Sequence, residues 1–208
     1  MCPPADQFEK RRREGVRMVF ESWPWKQDLL RQKNSLIRYN TADNFSKNEE
    51  RAYTVVEKSI FYSAFIIRKL IDCKGKLSDE ADKYAIHVKL IRPLKHIDIM
   101  HCWPDEHSHD WEHESSVTVK GKDICNWLIH SYIFFTEFDE SNSIKSFYVS
   151  SDYDKNSALY KILLADWLAY VDFIASDDIV QMDSHFDSKK NEYIFTRKKR
   201  GDRTIRRQ

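Results

Sequence analysis

Glycine is scarce in this chain: four among 208 residues, where average usage of about 7% would give roughly three times as many. The four stand alone at Gly15, Gly75, Gly121 and Gly201, so no phosphate loop of the GxGxxG or Walker type can be written and no nucleotide cofactor is expected. With only five prolines, the chain also lacks the tight-turn residues that an all-β barrel or sandwich consumes. The longest stretch free of Asp, Glu, Lys and Arg, 124–136, falls well short of the ~20 residues a spanning helix needs, so no membrane partner is expected. No apolar run accompanies Lys10-Arg11-Arg12-Arg13, and no secretory signal is read there. Cys2, Cys73, Cys102 and Cys125 form no CxxC pair, which suits reduced thiols in a cytoplasmic protein.

What is present is enough to fold. A hydrophobic fraction of 41% and an aromatic fraction of 13% are values of a globular chain, and the length suits one domain with appended ends. The net charge of +1 conceals a segregation along the sequence. Residues 1–40 hold nine Lys/Arg against five Asp/Glu, and residues 197–208 hold seven against one, which leaves 41–196 at a net −9. Basic ends can track phosphates by releasing counterions. The organisation expected is a basic helical segment over 1–46, an α+β domain over 47–196 and a basic tail over 197–208.

Apolar spacing of three and four predicts helices over 7–20 and 25–39, split at Trp23-Pro24, and a long helix from Glu49 to about Cys73 whose stripe is Tyr53, Val56, Ile60, Ala64, Ile67 and Ile71. Alternation predicts strands over 84–91 and 96–101, followed by a polar loop to Glu114. A second helix is expected over 122–138, a strand over 145–150, a helix capped by Asp154 or Ser157 and running to about Ala175, and a closing hairpin of 180–186 with 192–197. The fold class that follows is α+β with a mainly helical core and a small antiparallel sheet.

The segment Ile124-Cys125-Asn126-Trp127-Leu128-Ile129-His130-Ser131-Tyr132 carries the most chemistry. On a continuous helix Asn126 and His130 share one face, and Lys122 lies a turn upstream on the same stripe. The run Asn126-x3-His130-x-Tyr132 resembles the RNxxxHxY form of the RxxxxH motif of HEPN domains, helical proteins of bacterial toxin–antitoxin, abortive-infection and CRISPR systems. The resemblance covers about one helix, and the family's arginine position is Cys125. It implies a HEPN-like bundle, often dimeric, that cleaves RNA without a metal. His130 would be the general acid/base, Asn126 would orient the scissile phosphate and Tyr132 would support them. A thiol cannot neutralise charge building on phosphoryl oxygens, and losing one such stabiliser costs on the order of 10²–10³ in rate. Lys122, or Arg68 from the long helix, would then supply the phosphate-binding cation.

A second cluster, His101-Cys102-Trp103-Pro104-Asp105-Glu106-His107-Ser108-His109-Asp110-Trp111-Glu112-His113, is dense in metal-ligating types but matches no HExxH, Cys2His2 or paired CxxC spacing. It reads as a solvated loop, and no metal or other cofactor is expected. Ser150-Ser151-Asp152 has no GxSxG elbow and reads as a turn. Two functional expectations stand side by side: a divergent HEPN-like protein that binds or cleaves RNA, and a non-catalytic helical interaction protein that docks a protein partner, a second copy included.

Overall fold

The computed structural model describes residues 21–201; the helix expected over 7–20 and the end of the basic tail lie outside them. The first helix, α1 (Ser22–Tyr39), starts at the predicted break. Pro24 occupies its first turn, where the missing N–H removes no helical hydrogen bond. A short α2 (Ala42–Lys47) follows, capped by Thr41 Oγ1, which accepts the Asn44 N–H at 3.3 Å.

Helix α3 (Glu49–Asp72) is capped by Asn48, whose Oδ1 accepts the Arg51 N–H at 2.9 Å, and Glu49 and Glu50 complement its dipole. Its predicted stripe is the core: Val56, Ile60, Ala64 and Ile67 have no solvent exposure. Each fully buried Ile or Val there contributes about 1.5–3 kcal/mol. The chain reverses after α3 at Gly75, whose φ of +81° is in the left-handed region that glycine enters without penalty.

The sheet is larger than the sequence pattern suggests. After α4 (Asp79–Lys83) come β1 (Ala85–Ile91), β2 (Ser115–Lys120), α5 (Gly121–Ile129), β3 (Ser131–Phe138), β4 (Ile144–Ser151), β5 (Leu159–Leu163) and α6 (Leu164–Ala175). The five strands form one sheet in the order β2-β1-β5-β4-β3, antiparallel throughout. The expected mainly helical core, and with it the HEPN-like bundle, is therefore corrected: the fold is α+β with helices packed on one face of a five-stranded sheet.

Three local misreadings account for the difference. The helix expected over 122–138 ends at Ile129, because the aromatic and β-branched run from Tyr132 to Thr136 pairs with β4 instead. The helix expected from Asp154 begins only at Leu164, after β5 has paired with both β1 and β4. The alternation at 96–101 belongs to a loop, and β2 lies further on at 115–120.

Alternation along the strands gives the sheet two different faces. Phe147, Val149, Ile162, Ile86 and Val88 pack against α1, α3, α5 and α6 in the main core. Ile91, Ile133, Tyr148 and Leu159 form a second cluster on the opposite face, closed by Ile97, Trp111 and Phe135. Beside that cluster, Glu137 accepts hydrogen bonds from Ser146 Oγ at 2.5 Å and Tyr148 Oη at 3.2 Å, and it pairs with Lys161 at 2.8 Å and Lys145 at 2.9 Å.

Residues 21–46 are continuous with this core, since Leu29, Leu36 and Phe45 are buried within it. The expected closing hairpin is present and longer, β6 (Ile179–Asp187) with β7 (Glu192–Arg200), so the first four residues of the expected tail are strand. Its root is held by Asp177, which has no exposure. That carboxylate accepts the Ser78 N–H and Oγ–H, each at 2.7 Å, and lies 3.6 Å from Arg200 Nε. Lys198 pairs with Asp79 and Asp82 of α4 at 3.6 and 3.2 Å.

Candidate functional site

The residues singled out by the motif lie on and just beyond α5. Asn126 is half-buried in its last turn, and the His130 N–H donates to Asn126 O at 3.0 Å. His130 itself is the C-cap, with φ −107° and ψ 27°, and is exposed. Its carbonyl accepts the Asp152 N–H at 3.0 Å, tying the end of α5 to the β4–β5 turn. Tyr132 has passed into β3, where Lys155 Nζ lies 4.1 Å from its ring centroid and 2.6 Å from Asp152. The continuous helix expected to carry Lys122, Asn126, His130 and Tyr132 is thus divided between a helix, a cap and a strand.

Arg68 reaches towards α5 from α3, but its Nη1 is 3.0 Å from Asp72 Oδ1, an ion pair whose angle is poor for a hydrogen bond. Cys125, at the family's arginine position, has no exposure, and burial pushes its thiol well above the ordinary range while Arg68 acts weakly the other way. Lys122 is half-buried in the first turn of α5. Among the described residues, no side-chain hydrogen bond or ion pair joins Lys122, Arg68, Asn126 and His130 to one another.

A cleft of roughly 450 Å³ lies elsewhere, in the loop between β1 and β2, residues 92–114. Ile97, Met100 and Trp103 form its apolar lining; Lys95, Asp98 and Asp105 form much of its polar rim. Loops of this length without strands or helices of their own are uncommon in compact domains, and are either functional or disordered. This one is tied down throughout. Leu94 N donates to Ser108 O and Asp110 N to Arg92 O, each at 2.8 Å, continuing the β1–β2 ladder. Asn156 of the β4–β5 turn clamps Ile97, accepting its N–H at 2.7 Å and donating to its carbonyl at 3.3 Å.

Inside the loop, Asp98 accepts from His101 Nδ1 at 2.9 Å and from the Met100 and His101 N–H groups at 2.8 and 3.0 Å, which hold its carboxyl below the usual range. Trp111 Nε1 donates to Asp105 O at 2.9 Å, and Ser108 Oγ lies 2.8 Å from His109 Nδ1. His109 is 2% exposed, and burial lowers its pKa, so the ring is neutral there. His113, by contrast, is raised by its hydrogen bond to Asp110.

Within this fixed frame the large apolar side chains point out. Ile99, Met100 and Trp103 are 81%, 80% and 82% exposed, and Leu94 is 64% exposed. The loop is also acidic, with Arg92 and Lys95 against Asp98, Asp105, Glu106, Asp110, Glu112 and Glu114. Four of its five histidines turn to separate partners: His101 to Asp98, His107 to Glu106, His109 to Ser108 and His113 to Asp110. Among the described residues no group of three or more His, Cys, Asp or Glu side chains is placed to hold a metal ion. No helix among them is long and apolar enough to cross a membrane.

Sequence reasoning passed over this display because it read 96–101 as a strand and the remainder as solvated. The available signal was Leu94, Ile97, Ile99, Met100 and Trp103 between prolines 93 and 104, more apolar material than a solvated loop requires. Compared with protein-family models, curated proteins and solved structures, the chain finds no match.

Proposed function

We propose that the chain is a non-catalytic interaction protein whose working surface is the β1–β2 loop, and that it docks a protein segment with apolar anchors flanked by basic side chains. The observation that carries this reading is the combination of a hydrogen-bonded loop frame with exposed Met100 and Trp103 lining a cleft, and exposed Ile99 next to Met100 in the same loop. An ordered frame reduces the entropy lost when a partner docks, and exposed indole and thioether groups are the side chains that dominate interface energetics. The acidic rim selects the charge of the partner. A phosphate backbone brought to the β1–β2 loop would meet six carboxylates against two Lys/Arg side chains across residues 92–114, which favours protein over RNA.

The test is selection from a random peptide library on immobilised wild type and on Trp103→Ala, with thermal melting of both. The expected result is enrichment of peptides combining aromatic residues with Lys or Arg on wild type only, at equal melting temperature. A single-stranded RNA pool assayed alongside by filter binding covers the other expectation. RNA retention that depends on His130 or Lys155, with no peptide enrichment, would replace this reading with the RNA one.

A further inference from the structure

Resting on that reading, we infer that the cleft takes an arginine side chain of the partner segment, its guanidinium lying on the Trp103 indole and bonded to the Asp98 carboxylate. Three donors meet Asp98, and all of them converge on Oδ1: the Met100 N–H at 2.8 Å, the His101 N–H at 3.0 Å and His101 Nδ1 at 2.9 Å. Oδ2 has no hydrogen bond or ion pair among the described residues. The carboxylate is held by one oxygen and open at the other, so the ordering of this acceptor is complete before a ligand arrives.

Charge in the lining is short of one cation. The titratable groups there are Lys95, His96, Asp98, His101 and Asp105. Lys95 is turned to Asp105, 3.6 Å from its Oδ2, and Asp105 Oδ1 accepts the His107 N–H at 2.8 Å. Lys155, which also feels the Asp98 charge, holds its ammonium 2.6 Å from Asp152. With the histidines neutral, two carboxylates face one ammonium, and Asp98 is the carboxylate left over. A single monovalent cation completes that balance.

Trp103 decides which cation fits. Its indole is 82% exposed and has no hydrogen bond or ring contact with any described residue. A planar, weakly hydrated guanidinium stacks on such a ring while its N–H groups still reach a carboxylate oxygen, whereas a lysine ammonium is a strongly hydrated point charge. Ile97 and the 80% exposed Met100 belong to the same lining and offer apolar cover to the methylene stem. The cleft volume of roughly 450 Å³ falls within the range of about 300–1,000 Å³ typical of ligand sites.

Titration of N-acetylarginine amide onto the full chain, followed through the indole N–H resonance of Trp103, tests this; the resonance is identified by its absence from Trp103→Leu. A saturable shift in the millimolar range is expected. Binding is expected to weaken at least fivefold in Asp98→Asn, and at least fivefold for N-acetylcitrulline amide, which keeps the shape and loses the charge. Citrulline amide that binds as well as arginine amide overturns the inference, as does an Asp98→Asn variant with wild-type affinity, or no saturable shift up to about 100 mM ligand. The citrulline comparison is made on wild type, so it decides the question even where Asp98→Asn alters the loop. Peptide enrichment that depends on Trp103 but shows no preference for arginine ends this inference and leaves the docking reading standing, while absence of both arginine binding and peptide enrichment removes the two together.

Discussion

Replacing Glu137 with glutamine tests whether the knot beside the second apolar cluster stabilises the sheet face that carries the loop. Partial burial raises the Glu137 pKa, but hydrogen bonds from Lys145, Lys161 and Ser146, with the Lys161 charge, outweigh it and bring the carboxyl from 4.5 to about 2. Taken at face value, a shift of that size corresponds to roughly 3 kcal/mol. The side chain is 29% exposed, so solvent screening reduces the figure to about 1–2 kcal/mol. Because the folded pKa lies below the unfolded one, this contribution is complete above about pH 4.5 and disappears as pH falls towards 2. Urea denaturation of wild type and Glu137→Gln at pH 7, 4.5 and 3 is the assay. The expected gap is about 1–2 kcal/mol at pH 7, narrowing steadily on acidification. A gap that is the same at pH 7 and pH 3, or one below about 0.3 kcal/mol at pH 7, would refute the reasoning.

Three further substitutions probe other parts of the structure. Gly121→Ala drives a Cβ hard against the Cζ end of the fully buried Tyr170 ring and is expected to cost about 1–3 kcal/mol by overpacking, read from a thermal melt. Asp177→Ala removes the acceptor of Ser78 and the partner of Arg200 from a site with no solvent; the expected loss is about 3 kcal/mol, with proteolysis in β6 and β7 accelerated before the core opens. Cys125→Arg restores the side chain of the RxxxxH pattern, yet puts a second guanidinium beside Arg68 at a fully buried position. The variant is expected to be recovered insoluble, and a soluble variant with wild-type melting would show that α5 can rotate to expose this site.

Long periodic segments were legible from sequence. Val56, Ile60, Ala64 and Ile67 repeat at helical spacing over many turns, and the buried face of α3 follows from that repetition. Short segments were not, because a run such as Tyr132-Ile133-Phe134-Phe135-Thr136 suits a buried helix and a buried strand equally well until a partner strand is known. Pairing with β4, 11–17 residues further along, decides it. The same non-local decision moved His130 from the middle of an expected helix to its cap, so the Asn126 and His130 stripe could be written from sequence but its surroundings could not. Legibility of the loop failed for another reason. Whether Ile99 and Trp103 are buried depends on how much of the sheet's second face is already covered, and Ile97, Trp111 and Phe135 cover it first.

That competition for the second face links the stability of the loop to its charge. Ile97 and Trp111 turn inward and anchor the chain on either side of 98–110, while the segment between them is shaped by Asp98 and Asp105 bonding to backbone N–H groups. Those bonds keep both carboxyls below their usual range, through His101 and Met100 for Asp98 and through the His107 N–H for Asp105. The interactions that give the loop its form therefore also keep its rim ionised under mildly acidic conditions. Acidification dilutes the loop's negative charge first from the other side, by protonating His113, whose pKa is raised by its hydrogen bond to Asp110. A basic partner held by the rim should accordingly weaken as pH drops through the histidine range, while the loop itself stays folded until its carboxylates begin to protonate well below that.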